Sequence, residues 1–126
     1  MAAITVRRVY EAPDPDEGVR VLVDRLWPRG VSKERAAVDE WLKDVAPSNE
    51  LRTWYHKDAS RYEEFAARYR HELSSGPAAA ALERLVELAR RGRITLVTSV
   101  KSVGGSHVQT LADLLEGADG PSGGVE

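Results

Sequence analysis

The chain of 126 residues has no cysteine, one methionine and one phenylalanine. Without thiols there is no disulfide framework, no thiolate metal site and no cysteine nucleophile. That fits a reducing compartment, and a cytoplasmic location is expected. No apolar run is long enough to span a bilayer. The first residues, Met1-Ala2-Ala3-Ile4-Thr5-Val6-Arg7, lack the apolar stretch of a signal peptide. No membrane partner is therefore expected. An excess of positive charge is missing too. The formal net charge is -2, which argues against a general nucleic-acid binder that works by counterion release. Lysine is scarce: of 18 basic residues only Lys33, Lys43, Lys57 and Lys101 are lysine. An arginine excess suits planar recognition of phosphate or carboxylate, although genome base composition produces it as well.

The three histidines, His56, His71 and His107, lie far apart in sequence. A closed tetrahedral zinc site is not expected from them, and no cofactor is implied. His56 with Asp58 forms a metal pair only if a third ligand is near, and none is adjacent. His71 falls on the polar side of its helix and receives no role. No Ser–His–Asp arrangement and no paired-carboxylate signature stand out by spacing.

What is present is an α/β pattern. Ile4 to Tyr10, Val19 to Leu26 and Arg93 to Val100 read as strands. Ser32 suits the N-cap of a short helix to Ala37, and Asp39 that of a helical piece carrying Trp41, Leu42 and Val45. Pro47 stops that piece, and Ser48 caps a turn with Leu51, Trp54 and Tyr55. From Asp58 or Ser60 a longer helix buries Tyr62, Phe65, Ala66, Tyr69 and Leu73 on one face. Pro77 opens the next helix, with Leu82, Leu85, Val86 and Ala89 inward and Gly92 at its end. Ser106 caps a final helix that ends at Gly117. Glu11 to Gly18 is an acidic, turn-rich loop.

The expected fold is one small α/β domain over 1–117, with a short, mainly parallel sheet of about three strands surrounded by helices. Residues 118–126 are small and polar and are expected to form a disordered tail. The strands starting at Val19 and Ile94 are joined by a helical crossover, so they should run parallel with their carboxyl ends on one edge. Nothing in the sequence sets an oligomeric state.

The most informative stretch is Val21-Leu22-Val23-Asp24-Arg25-Leu26-Trp27-Pro28-Arg29-Gly30. Three apolar β-formers run into a charge pair, an aromatic, a proline, a second arginine and a glycine. A buried unpaired charge is costly, so this cluster belongs at a strand end, near water or a ligand. Ligands of parallel α/β sheets bind just outside the carboxyl ends of the strands. The second motif is the loop Lys101-Ser102-Val103-Gly104-Gly105 leading into Ser106-His107. Glycines at a helix start leave backbone N–H groups able to approach an anion.

Together these point to a small anionic ligand: a nucleotide, phosphoester or carboxylate, with turnover left open. Arg25 and Arg29 would grip it. Lys101 and the amides around Gly105 and Ser106 would complete the cradle. Asp24 would orient Arg25, and Trp27 would pack under the site or stack on a ligand ring. His107 would be the one proton carrier. Two alternatives stand beside this reading. Arg25, Trp27 and Arg29 could dock a protein or nucleic-acid partner in a non-enzymatic interaction or regulatory module. Or the charges could form a closed network that holds the strand ends.

The block Gly18-Val19-Arg20-Val21-Leu22-Val23-Asp24-Arg25-Leu26-Trp27-Pro28-Arg29-Gly30 resembles the signature of the YeaO-like family, within the bacterial domain of unknown function 488 (DUF488). The likeness continues through Asp39-Glu40-Trp41-Leu42-Lys43, Ala46-Pro47-Ser48 and Glu50-Leu51-Arg52. It includes His56, Phe65, Arg68, Tyr69, Glu72 and Leu73, and closes on Thr95-Leu96, Ser99, Lys101, His107 and Leu111. It spans Arg7 to Leu115. The resemblance implies a small bacterial, cytoplasmic protein and carries no reaction with it. The wider grouping has a similar valine-aspartate-arginine strand end and, late in the chain, a cysteine-histidine-arginine helix start. That implies a shared site at two strand ends. This chain has Thr98 where the family often has tyrosine, Ser102 where it has an acid or amide, and Ser106 where it has asparagine. The serine at 102 weakens any mechanism needing a carboxylate beside Lys101.

Overall fold

The computed structural model describes residues 4–13, 16, 18–58 and 60–118. Its elements are β1 (Ile4–Arg8), β2 (Val19–Leu22), α1 (Lys33–Ala36), β3 (Glu40–Trp41), a 3-10 turn (Lys43–Val45), α2 (Asn49–Lys57), α3 (Tyr62–Glu72), α4 (Gly76–Arg91), β4 (Ile94–Thr98) and α5 (His107–Ala118). The four strands form one sheet in the order β1-β4-β2-β3, and every pairing is parallel. Val21 lies opposite Leu96 and Leu22 opposite Val97.

β4 is one of the two inner strands, paired with β1 and β2. Ile94, Thr95, Leu96, Val97 and Thr98 are all fully buried, as expected of a parallel strand covered on both faces. Alternation sorts the side chains. Val21, Val23, Ile94 and Leu96 enter the larger core, with Phe65 and Tyr69 of α3, Leu85 and Leu88 of α4, and Leu111 and Leu115 of α5. Leu22 and Val97 face the other way, into a smaller core with Val9, Val31, Ala36 and Trp27.

Serine caps form as the sequence suggests. Ser32 accepts from Arg35 N at 3.1 Å, and Ser48 from Leu51 N at 3.1 Å. The region after Asp39 differs. A helical piece carrying Trp41, Leu42 and Val45 is expected there, yet Glu40–Trp41 is a fourth strand beside β2, and only Lys43–Val45 is helical, as a 3-10 turn. The reason is Asp39 itself. Its carboxylate accepts from Arg20 N at 2.9 Å, while its own N–H donates to Arg20 O at 2.8 Å. The residue brackets a sheet edge instead of capping a helix. The strands are also shorter than expected, ending at Arg8, Leu22 and Thr98. α5 runs one residue past Gly117, so Ala118 closes the helix rather than opening a tail. The rest of that expected tail, 119–126, lies outside the described residues, as do positions 14, 15 and 17 of the acidic loop. Among the described residues no helix is long and apolar enough to cross a membrane.

Gly18 fixes where β2 begins. Its φ is +70°, and a Cβ there would sit 2.0 Å from Arg93 O, the same oxygen that accepts from Val19 N. Only glycine tolerates both conditions. Gly18→Ala should therefore cost about 3 kcal/mol or more, lowering Tm by roughly 10 °C. Gly30 shares the positive φ but has open space around it, so Gly30→Ala should cost only about 1 kcal/mol. Urea unfolding of the two variants separates steric overlap from backbone strain alone.

Candidate functional site

At the carboxyl end of β2 the chain leaves the sheet. Val23 N still donates to Val97 O at 3.1 Å, and the next residue turns its carboxylate inward. Asp24 is 8% exposed. Its Oδ1 accepts from Thr98 Oγ1 at 2.7 Å, and its Oδ2 from Ser99 N at 2.7 Å and Ser99 Oγ at 2.9 Å. His107 Nε2 lies 3.4 Å from Oδ1 and 3.1 Å from Val23 O. One carboxylate thus ties β2, β4 and the start of α5 together. Burial pushes its pKa up. The hydrogen bonds from His107, Ser99 N and Thr98, with the His107 charge, outweigh burial and hold it below the usual carboxylate value.

Asp24 does not orient Arg25, contrary to the sequence reading. Successive residues leave a strand end in opposite directions. The Arg25 guanidinium reaches the loop before α2, donating to Ala46 O at 3.1 Å and to Pro47 O at 3.3 Å from both Nε and Nη2. That loop is itself held by α3, because Glu72 accepts from Ser48 N at 2.9 Å and Ser48 Oγ at 2.5 Å. Arg25 is positioned by carbonyls, and among the described residues no carboxylate forms an ion pair with it.

Trp27 donates its indole N–H to Val31 O at 2.7 Å and meets Trp41 edge-on, with centroids 5.5 Å apart. It packs as a wall, half-buried, and its polar atom is engaged. Trp41 in turn donates to Asp24 O at 2.7 Å. Arg29 and Lys101 are exposed.

The glycine loop departs from the expected cradle. Gly105 N donates to Gln109 Oε1 at 2.6 Å, and Ser106 N donates to Val103 O at 3.1 Å. Both amides are engaged within the loop, so they are not free to meet an anion. Ser106 does cap α5 as expected, accepting from Val108 N at 3.2 Å, and its hydroxyl donates to Val103 O at 2.6 Å. Gly105 O accepts from Tyr55 OH at 2.6 Å, which pins the loop to α2. His107 lies edge-on to Tyr69, centroids 6.2 Å apart. Its Nε2 faces two acceptor oxygens and so carries a proton, leaving Nδ1 as the ring's other polar atom.

These residues surround one cavity of about 950 Å³. Asp24, Arg25, Trp27, Arg29, Lys101, Gly105, Ser106 and His107 all line it. Sequence reasoning missed part of the wall: Asn49, Arg52, Tyr55 and His56 on α2, and Phe65 on α3. A signal was available, because 49, 52 and 56 recur at helical spacing and share one face of α2. His56 does not pair with Asp58, whose carboxylate accepts from Ser60 and Arg61. Among the described residues no three histidine, aspartate or glutamate side chains gather as metal ligands.

The charge balance of the cavity is unequal. Arg25, Arg29, Arg52 and Lys101 carry permanent positive charge, against the single carboxylate of Asp24. A protein of net charge -2 has concentrated cations at one concave place, which focuses a positive potential there.

A family model described as "Inactive DUF488-N3 subclade" matches residues 3–120. "Uncharacterized protein Rv3073c" of Mycobacterium tuberculosis (strain ATCC 25618 / H37Rv) is 51% identical over 114 residues, covering 90% of this chain and 94% of the relative. "Uncharacterized protein YeaO" of Escherichia coli (strain K12) is 39% identical over 112 residues, covering 89% and 96%. No solved structure matches the chain. The chain belongs to the YeaO-like DUF488 family.

Proposed function

We propose that this protein binds a small organic anion in the cavity at the ends of β2 and β4. Arg25, Arg29, Arg52 and Lys101 supply the charge. The observation that carries the reading is the wall of four permanent cations around one buried carboxylate, whose hydrogen bonds are all made inside the fold. Concavity favours a small ligand over a protein or nucleic-acid partner, which would be served by a flat exposed patch. Trp27 supports the same choice, since it is half-buried and its indole N–H is engaged.

Binding, rather than turnover, is what the local chemistry supports. The Ser106 hydroxyl donates to Val103 O, and the Ser99 hydroxyl donates to Asp24, a carboxylate whose pKa is held below the ordinary value and which is therefore too weak a base to activate it. His107 turns Nε2 onto the strand end, and only Nδ1 remains for proton transfer. The description of the matching subclade as inactive agrees with this.

Thermal melting with inorganic phosphate tests the reading. At a phosphate concentration 100 times Kd the native state should gain about 2.7 kcal/mol, a Tm rise of roughly 10 °C. The gain should fade as sodium chloride is raised, because exposed Arg29 and Lys101 are screened. An unchanged melt with phosphate at low salt would contradict the proposal.

A further inference from the structure

The cavity is larger than an inorganic anion needs. Its volume of about 950 Å³ lies at the upper end of small-molecule sites. Beside the cations it is walled by Leu26, Trp27, Pro28, Tyr55 and Phe65. Tyr55 and the chain's one phenylalanine stack with centroids 4.2 Å apart and planes 17° from parallel. Tyr55 is locked by its bond to Gly105 O. Trp27, also in the lining, is fixed by its N–H and by its contact with Trp41. Rigid aromatic and apolar walls suit a flat, apolar body, whose binding does not have to order them. Leu26 lines the same cavity and is 70% exposed. It takes no part in either core and so offers apolar area at the rim to a ligand body.

The cations narrow the charged end. Among the described residues Arg25 binds carbonyl oxygens and Arg52 the Asn49 amide oxygen, at 3.3 Å. Among the described residues neither is matched with a carboxylate. A dianion with three terminal oxygens answers several such charges at once, and guanidinium forks fit phosphate oxygens in pairs. A monocarboxylate supplies one charge and two oxygens.

We infer that the site takes a phosphomonoester borne on a planar ring, the phosphate toward Arg25, Arg29 and Lys101 and the ring against Leu26, Trp27 and the Tyr55–Phe65 stack. The inference rests on the anion-binding reading above and names the ligand class for that site.

Calorimetric titration of the full chain with phenyl phosphate, inorganic phosphate and benzoate, at one salt concentration, tests it. Phenyl phosphate should bind about tenfold or more tighter than either of the others. Leu26→Ala, a change at an exposed position, should leave the melting curve and phosphate binding as they were and weaken phenyl phosphate about threefold to tenfold. Equal affinities for phenyl phosphate and phosphate, or no effect of Leu26→Ala on phenyl phosphate, would overturn the ring while leaving the anion site standing. Benzoate as tight as phenyl phosphate would overturn the phosphomonoester. Binding of none of the three would remove the anion reading itself.

Discussion

Asp24→Ala is expected to lower stability by about 3–5 kcal/mol, the range seen when one partner of a buried charged network is removed. The carboxylate accepts from Thr98 Oγ1, Ser99 N and Ser99 Oγ, and His107 stands beside it. Alanine leaves these donors facing a small buried void. Against a typical total of about 5–15 kcal/mol, the loss is large enough to populate the unfolded chain. Asp24→Asn keeps one oxygen but turns an N–H₂ toward a donor, and should cost about 2–3 kcal/mol. The effect also has a pH signature. The folded-state pKa of Asp24 lies below the ordinary carboxylate value, so its contribution is fully present above the unfolded-state pKa. It is lost as pH falls through the lower folded pKa. Below about pH 4 the wild-type chain should therefore lose stability more steeply than Asp24→Asn. Urea unfolding of both across acid pH checks this, and a wild-type curve that parallels the variant's would contradict it.

Arg25→Glu should abolish phosphate binding, a loss of at least about 100-fold, by putting a like charge where the ligand sits. The same change removes hydrogen bonds to Ala46 O and Pro47 O and should cost about 1–2 kcal/mol of stability. Arg25→Lys keeps the charge but loses the planar fork, and about tenfold weaker binding is expected. Lys101→Glu separates the two effects. Lys101 is exposed, so its reversal should weaken phosphate strongly while leaving the urea midpoint in place. Calorimetry and urea unfolding on the three variants read both quantities. Normal phosphate affinity in Arg25→Glu would place the anion elsewhere.

The strands and their common edge were legible because Val21-Leu22-Val23 and Ile94-Thr95-Leu96-Val97 are continuous buried runs broken by charge or glycine. A crossover of helices then leaves little choice but parallel pairing, and Asp24, Arg25 and His107 follow to the same end. β3 was not legible. Two residues carry no period, and the pairing depends on Asp39 meeting the backbone of Arg20, nineteen positions earlier. The role of Asp24 is not legible in the sequence, because Arg25 adjoins it there, whereas Thr98, Ser99 and His107 adjoin it only in the fold. The engagement of the glycine-loop amides is hidden for a nearer reason. Gln109 folds back one helical turn to take Gly105 N, and the sequence does not say which way a glutamine points. Arg52 belonged to a readable stripe on α2, but the stripe gains meaning only once α2 is known to face the strand ends.

The central claim is that Arg25, Arg29 and Lys101 meet one anion at the ends of β2 and β4. A crystal structure of the full chain grown with saturating phenyl phosphate tests it most directly. The account predicts phosphate oxygens within hydrogen-bond distance of the Arg25 guanidinium and of Lys101 Nζ, with the ring against Trp27 and Leu26. A cavity without ligand density under those conditions, or a phosphate held elsewhere on the surface, would contradict it.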